Sequence, residues 1–231
     1  MSEPGSRRGR THDAEGAREA ILNAAEEVFA EHGFDGARVD AIAAAAGYNK
    51  SLIFQYFGDK LGLYASLLKR SDDRTRYLQA EALEMANKDQ SFFQPDKFKP
   101  TLKLFMGRLF DFFQENPRLI KIFLWEMADG WKTYLKVVPE IGLEDVETFG
   151  PFVERFHAEG LLKSDFSPVT QVIVAEFMLM VYLTMTPLLG LFNQNEDFDS
   201  QESLNQAREF LTNFIVDGLV ADPHKPKSSG D

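Results

Sequence analysis

The 231-residue chain contains no cysteine, which excludes disulfide bonds, thiolate catalysis and cysteine-based zinc sites. Its four histidines are scattered, and no His-Glu-x-x-His sequence occurs. Glu154 and His157 are spaced to share one helix face, but without a second such pair this spacing is typical of a surface pair. Neither a Gly-x-Ser-x-Gly sequence nor a phosphate-binding glycine loop is present. We therefore predict no catalytic residue, no metal site and no cofactor.

Basic residues are in the minority, since 25 lysines and arginines stand against 36 aspartates and glutamates and the formal net charge is −11. Such an acidic chain is not expected to coat nucleic acid without sequence preference. A small basic face remains compatible with it if the fold groups a few basic side chains. The first ten residues contain no apolar run, so no secretory signal peptide is predicted and the expected location is the cytoplasm.

The spacing of apolar residues follows the helical period along most of the chain, and strand-like alternation is absent. This pattern predicts helices over residues 14–32, 60–87, 101–116, 117–130, 143–159, 168–192 and 201–219. Residues 88–100 are expected to form a connection because they contain two prolines, and the pattern assigns no structure to residues 131–139. The expected fold class is all-α, with a small domain over residues 14–68 and a larger one over residues 69–220.

One apolar run, residues 169–192, is long enough to raise the question of a transmembrane helix. It contains Gln171, Glu176 and Pro187, and a carboxylate near the centre of a bilayer is costly. We therefore expect a buried or dimer-interface helix, which Pro187 kinks or ends, and no membrane partner.

Residues 39–57 have the pattern of two short helices that meet at Gly47. Glycine accepts the positive φ that a chain often needs where it leaves a helix, and Asn49 is placed to cap the second helix. Ile42 and Ile53 sit where they can pack inward. A plain alanine-rich hairpin in a bundle core is one interpretation. The other is a helix-turn-helix, whose second helix enters the major groove of DNA.

The flanking residues favour the second interpretation. The helix Ala-Arg-Glu-Ala-Ile-Leu-Asn-Ala-Ala-Glu-Glu-Val-Phe-Ala-Glu-His-Gly-Phe, then Val-Asp-Ala-Ile-Ala-Ala-Ala-Ala-Gly, then Lys-Ser-Leu-Ile-Phe-Gln-Tyr-Phe-Gly-Asp-Lys, resemble the tetracycline-repressor (TetR) family of bacterial transcriptional regulators. The resemblance runs from about Ala17 to Leu68. It implies a three-helix helix-turn-helix DNA-binding domain followed by a larger helical domain for ligand binding and dimerisation.

The same resemblance implies partners and a mechanism. The chain would bind a palindromic double-stranded DNA operator as a homodimer, paired through the helices near 168–192 and 201–219. A small effector, apolar or amphipathic, would release it from the operator, so the function would be that of a repressor and not of an enzyme. When bound to DNA it would lie on the bacterial nucleoid.

Positions of DNA contact are implied residue by residue. Tyr56 and Lys60 match a tyrosine and a lysine that contact phosphate in the family. Asn49, Lys50 and Ser51 match the turn and the start of the recognition helix, which contact phosphates or base edges.

Four further positions bear on which DNA sequence is bound. Gln55 occupies a base-reading position, and glutamine can pair with adenine. Arg38 replaces a capping serine or threonine, so the cap is lost, and its guanidinium either reaches a phosphate or is a plain surface group. Leu52 replaces a frequent threonine and offers an apolar contact, and Phe54 replaces a frequent tyrosine.

The two ends of the chain, residues 1–13 and 221–231, are predicted to be disordered tails. The first contains Arg7, Arg8 and Arg10. It is either an unstructured leader or a basic arm that touches phosphates or a minor groove beside the bound helix.

The effector site is expected among apolar side chains of the larger domain. The candidate residues are Phe105, Met106, Leu109, Phe112, Phe123, Trp125, Phe152, Phe156, Glu176 and Phe177. Glu176, a lone charge in a long apolar helix, is a candidate polar contact for the effector, and a hydrogen bond at the dimer interface is the alternative. A second hypothesis for the whole chain is an all-α small-molecule-binding or enzymatic bundle with a vestigial DNA-binding head.

Overall fold

The computed structural model describes residues 7–88, 93–141, 144–163, 167–193 and 197–221. These residues form the helices α1 (Arg7–Gly36), α2 (Val39–Ala46), α3 (Lys50–Phe57), α4 (Lys60–Lys88), α5 (Pro95–Glu115), α6 (Pro117–Ala128), α7 (Tyr134–Ile141), α8 (Glu144–Ala158), α9 (Pro168–Phe192) and α10 (Gln201–Leu219). Within these ranges, extended pairing is limited to one bridge between Leu162 and Val220. The predicted all-α fold is confirmed.

The start of α1 differs from the prediction. The helix begins at Arg7, so the expected disordered tail is wrong for residues 7–13, and Arg7, Arg8 and Arg10 belong to a helix. This stretch contains no proline, and arginine has a high helix propensity, so the helix continues toward the N-terminus without apolar periodicity. Residues 1–6, and residues 222–231 of the predicted C-terminal tail, lie outside the described residues.

Other differences from the predicted helices lie in segments that contain proline. Pro95 is the first residue of α5, where its missing N–H costs no helical hydrogen bond, so residues 95–100 of the predicted connection are helical. The helix also contains Pro100. Pro187 does not end α9, which continues to Phe192. The segment without assigned structure contains α7, with Pro139 inside it.

The first of two compact units comprises Met1–Arg74 and Pro117–Leu143. Its core is a cluster of buried side chains from α1, α2, α3 and α4, among them Phe29, Ile42, Ile53 and Leu67. Helix α1 is interrupted at Gly33, whose φ of 66° lies outside the helical range, as the predicted helix stop requires. Helices α1, α2 and α3, here called the head, therefore share one continuous core with the start of α4.

Helices α6 and α7 also belong to this first unit. Helix α6 packs against α1, and Ile122 of α6 and Val137 of α7 enter the same core as the head helices. The indole N–H of Trp125 donates to the carbonyl oxygen of Ala30 at 3.2 Å. The sequence-based boundary between residues 68 and 69 places these two helices in the larger domain, whereas their packing places them with the head.

Helix α4 is fastened to α1 by Arg70, whose side chain is only 13% exposed. Its guanidinium donates to Asn23 Oδ1 at 2.8 Å, to Glu26 Oε2 at 2.5 Å and to the carbonyl oxygen of Leu22 at 3.2 Å. Hydrogen bonds to a charged, mostly buried guanidinium are stronger than neutral ones. The first half of α4 is therefore tied to α1.

The second unit comprises Thr75–Asn116 and Glu144–Asp231. In it α5 packs against α9 and α10, and α8 packs against α9. Arg208 of α10 makes two hydrogen bonds to Asp111 of α5, at 2.6 and 2.8 Å. Its guanidinium lies over Gly107, where a Cβ would come within 2.5 Å of it. The absence of a side chain at Gly107 therefore makes room for the link between the two helices.

Helix α9 is, among the described helices, the one long and apolar enough to cross a membrane by length and composition. Only 22% of its most apolar window is buried within the chain. Length and composition alone are weak grounds for a membrane span, since interface helices share them. Much of this helix is thus left uncovered by the chain itself.

Candidate DNA-binding site

The turn between α2 and α3 is held by local backbone chemistry. Gly47 has a φ of 73° and a ψ of 22°, the left-handed conformation that glycine adopts without steric cost. The N–H of Tyr48 donates to the carbonyl oxygen of Ala43 at 3.1 Å, which closes the end of α2. Asn49 Oδ1 accepts from the N–H of Leu52 at 2.8 Å, which caps the start of α3. The predicted helix boundaries, turn and cap are confirmed.

The buried side of the hairpin determines which side faces outward. Ile42 and Ile53 have no exposed surface, and Ala43 and Phe57 are buried with them. Burial of an isoleucine contributes about 1.5–3 kcal/mol, so a rotation of α3 that exposed Ile53 would be costly. The opposite face of α3 is therefore fixed toward solvent.

The eight predicted DNA-contact residues all lie in the first unit, on α3 and at the starts of α2 and α4. Arg38, Asn49, Lys50, Ser51 and Gln55 are exposed, whereas the remaining three are half-buried. Those three are Leu52, Tyr56 and Lys60. The structure thus brings the eight positions onto elements that the head core fixes, and their contacts with DNA stay a prediction.

Arg38 occupies the N-cap position of α2 without acting as a side-chain cap. Its φ and ψ are −111° and 133°, and its side chain makes no capping hydrogen bond, as predicted for a residue that cannot accept one. Its carbonyl oxygen accepts from the N–H of Ala41 at 3.0 Å. The guanidinium is therefore not needed for the local fold.

Lys60, at the first position of α4, is held against the end of α1. Its ammonium lies 4.5 Å from the centre of the Phe34 ring and donates to the carbonyl oxygen of Asp35 at 3.4 Å. Partial burial lowers the pKa of Lys60, and the carboxylate of Asp35 acts in the opposite sense. The lysine is thus positioned before any DNA is bound.

Three contacts in the head were not predicted from the sequence. Asp40 of α2 lies 3.0 Å from Lys50 Nζ. The ammonium of Lys50 also lies 5.8 Å from the centre of the Phe54 ring. The guanidinium of Arg18 lies 4.8 Å from the centre of the Phe57 ring, at the end of α3. The contacts Lys50–Asp40 and Arg18–Phe57 join different helices, so the local sequence carries no signal for them, whereas Lys50 and Phe54 are one turn apart on α3 and their contact follows from the helical period.

A buried carboxylate joins α4 to the segment after α6. Glu126 is 3% exposed; its Oε1 accepts from the hydroxyl of Tyr64 at 2.7 Å and its Oε2 from the N–H of Tyr134 at 3.0 Å. Burial, then the hydrogen bond and charge of Glu126, raise the pKa of Tyr64 above its usual range. Nearby, Trp131 has a φ of 63°, which is uncommon for a bulky residue. The structure therefore fixes this turn closely against α4.

The candidate effector residues do not all fall in one unit. Phe123 and Trp125 belong to the first unit, where Trp125 packs on Gly33 and Phe123 lies 6.4 Å, ring centre to ring centre, from Tyr134. The other candidates lie in the second unit, on α5, α8 and α9. Phe152 and Phe156 are buried there, with ring centres 4.4 Å apart.

Glu176 is half-buried on α9. Burial raises the pKa of its carboxyl group to about 7, because removal from water disfavours the charged form. A carboxyl group of this kind can exchange its proton near neutral pH. The role of Glu176 in binding an effector stays a prediction.

A small head in which a core fixes an exposed second helix after a glycine turn defines a helix-turn-helix DNA-binding protein. The sequence agrees at the family level, since residues 21–67 match the sequence model of the bacterial regulatory proteins of the tetR family. Over these residues the chain is therefore similar to the bacterial regulatory proteins of the tetR family.

Individual relatives extend the match beyond the head. The HTH-type transcriptional repressor SCO4008 of Streptomyces coelicolor is 34% identical over 114 residues, 49% of this chain and 51% of that protein. The HTH-type transcriptional repressor NicS of Pseudomonas putida is 26% identical over 191 residues, 80% of each chain. The chain thus matches about half the length of the first relative and four fifths of the second.

A solved structure shows the same fold. The TetR family transcription regulator from Marinobacter aquaeolei VT8 aligns over 92% of this chain and all of its own, with a TM-score of 0.60 and 20% sequence identity. At this level of identity the likeness concerns the fold, which includes the helices after the head.

Proposed function

We propose that this protein is a cytoplasmic repressor that binds a palindromic operator as a homodimer and is released by a small, largely apolar effector. The observation that carries the proposal is the outward face of α3, where Lys50, Ser51 and Gln55 are exposed while Ile53 on the opposite face is fully buried. A helix anchored in this way can enter a major groove without a change in its backbone.

Uncovered apolar surface supports the homodimer. Phe210 and Phe214 of α10 stack with ring centres 6.1 Å apart, yet are 66% and 57% exposed. Large exposed apolar side chains on α9 are Ile173, Val174, Val181, Met185, Leu188, Leu191 and Phe192. Contiguous apolar surface on a monomer marks an interaction site, and a second copy offers an equally apolar face by two-fold symmetry.

The dimer would set the distance between two copies of α3. Half-sites read by two recognition helices lie about 34 Å apart, one turn of DNA, or a multiple of it. Helix α4 carries Lys60 at its first residue and continues to Lys88. An effector that shifts α4 would change this spacing, and a coupling free energy of roughly 1–3 kcal/mol changes operator occupancy substantially.

The effector is proposed to bind among the apolar side chains of the second unit. Phe105, Met106, Leu109 and Phe112 of α5 supply apolar surface. Glu176 offers a carboxyl group whose pKa is raised to about 7 by burial. A mainly apolar molecule with one polar group fits this set of side chains.

Selection of duplexes from random DNA by the purified protein tests the proposal. We expect a palindromic sequence to be enriched and its affinity to fall with rising salt. Gln55→Ala should relax preference at one base pair, whereas Tyr56→Phe and Lys60→Ala should weaken binding to all sequences alike. If no sequence is enriched, the regulator proposal fails, and binding of a small molecule without DNA would then favour the vestigial-head hypothesis.

A further inference from the structure

The helix-turn-helix hairpin is poor in charge. Residues 38–57 contain three charged side chains, Arg38, Asp40 and Lys50. Two of the three neutralise each other, because Lys50 Nζ lies 3.0 Å from Asp40 Oδ2. One of the two cations of the hairpin is therefore already paired within the protein.

The pair lies at the surface and not in the core. The side chains of Lys50 and Asp40 are 44% and 73% exposed, and Lys50 is the first residue of α3. The ring of Phe54, one helical turn further on, lies within cation–π distance of the same ammonium. The ion pair thus directs Lys50 toward Asp40 of α2, while the ring of Phe54 holds the same ammonium along α3.

We propose that Asp40 is a positioning residue that withholds Lys50 from DNA of arbitrary sequence and so raises the selectivity of the head. The inference rests on the proposed function. Binding without sequence preference grows with each cation that neutralises a phosphate and releases counterions. Lys50 contributes to it only after Asp40 is displaced.

An operator can displace Asp40 where other DNA cannot. An exposed ion pair is weak, so a phosphate held beside Lys50 by the remaining contacts of α3 competes with it successfully. A duplex that α3 does not fit holds no phosphate there, and Lys50 stays on Asp40. The ion pair therefore penalises incorrect DNA more than the operator.

A plainer role for Asp40 leads to a different expectation. Asp40 lies in the first turn of α2, where a carboxylate stabilises the positive end of the helix dipole. In that case its replacement would affect helix stability whether or not Lys50 were present. A double-mutant cycle with Lys50 separates the two roles.

The test uses the full-length protein, the selected operator and a shuffled duplex of the same length, with affinities measured across a salt series. We expect Asp40→Asn to tighten binding to the shuffled duplex about three- to five-fold, the range open to an exposed ion pair. It should tighten binding to the operator less. On the shuffled duplex the slope of log affinity against log salt should steepen by about 0.9, one additional phosphate contact.

Three further variants make the result decisive. Lys50→Ala should cancel the gain in the Asp40→Asn background, and Asp40→Glu, which keeps the carboxylate, should behave as the unaltered protein does. Glu31→Gln removes the same charge from an exposed side chain of α1 and should leave selectivity unchanged.

The inference is overturned if Asp40→Asn leaves the ratio of the two affinities unchanged, or if its effect persists without Lys50. It is also overturned if Glu31→Gln has the same effect, since net charge alone would then account for the gain. Failure of the proposed function is distinct from these outcomes, because the unaltered protein would then prefer no sequence at all.

Discussion

Replacing Tyr64 by phenylalanine removes one hydroxyl group from the interior of the first unit. The hydroxyl is 2.7 Å from Glu126 Oε1, and both residues are at most 3% exposed. The substitution leaves a buried carboxylate oxygen without this donor, and an uncompensated buried polar group costs about 1–3 kcal/mol. Since domains are stable by only about 5–15 kcal/mol, the loss should be plainly measurable.

The same hydroxyl makes stability depend on pH in a defined direction. Burial and Glu126 raise the pKa of Tyr64 in the folded protein, so its contribution is complete below about pH 10, the ordinary tyrosine value. As the pH rises further, the unfolded chain ionises at this position while the folded one does not, and stability is lost. Tyr64→Phe should therefore show a weaker fall in stability above pH 10.

Urea unfolding followed by circular dichroism measures both effects. Tyr77→Phe is the matched control, because Tyr77 is 72% exposed and its substitution should change the free energy of unfolding by less than about 0.5 kcal/mol. If Tyr64→Phe costs no more than the control and has the same alkaline profile, then the hydrogen bond to Glu126 does not stabilise the unit and the reasoning is refuted.

Three further substitutions probe the second unit. Gly107→Ala should lower the free energy of unfolding in a urea titration by about 1–3 kcal/mol, because the new methyl group overlaps the guanidinium of Arg208. The control is Gly150→Ala, which should be neutral or stabilising because no atom lies within 4 Å of the added Cβ. Phe214→Glu should shift the proposed dimer to monomer in sedimentation analysis. An unchanged dimer, or an equal shift with Leu135→Glu, would contradict the proposed α9 and α10 interface. Glu176 should make the free energy of unfolding fall as the pH rises from about 4.5 to about 7, because its raised pKa keeps the folded form protonated while the unfolded chain ionises. If the free energy of unfolding of a Glu176→Gln variant has the same slope against pH, this expectation is contradicted.

The helix-turn-helix hairpin can be predicted from the sequence because the residues that determine its turn and helix ends lie within it. Gly47 permits the left-handed turn and Asn49 caps the next helix within three residues, so α2 and α3 have the predicted boundaries. The buried positions Ile42 and Ile53 follow from the same spacing. A segment whose local propensities agree with its conformation in the fold can be predicted from its sequence.

The remaining features depend on contacts between distant segments. An amphipathic pattern shows that α6 has an apolar face, but not that Ile122 enters the core of the head. Likewise Asp40 and Lys50 are ordinary surface charges in sequence and become a pair only when α2 and α3 cross. Phe123 and Trp125 share only their apolar character with the other effector candidates, and their packing within the first unit is set by the path of the chain.

The fastening of Arg70 to α1 has a consequence for local unfolding. The first half of α4 cannot separate from α1 without breaking hydrogen bonds to Asn23, Glu26 and Leu22 and exposing a guanidinium that is mostly buried. Amide protons of α4 up to about Arg74 should therefore exchange with solvent at the same rate as those of α1, because the two segments unfold as one cooperative unit. The helix-turn-helix hairpin would then be attached to two helices, α1 and the first half of α4, that unfold only together.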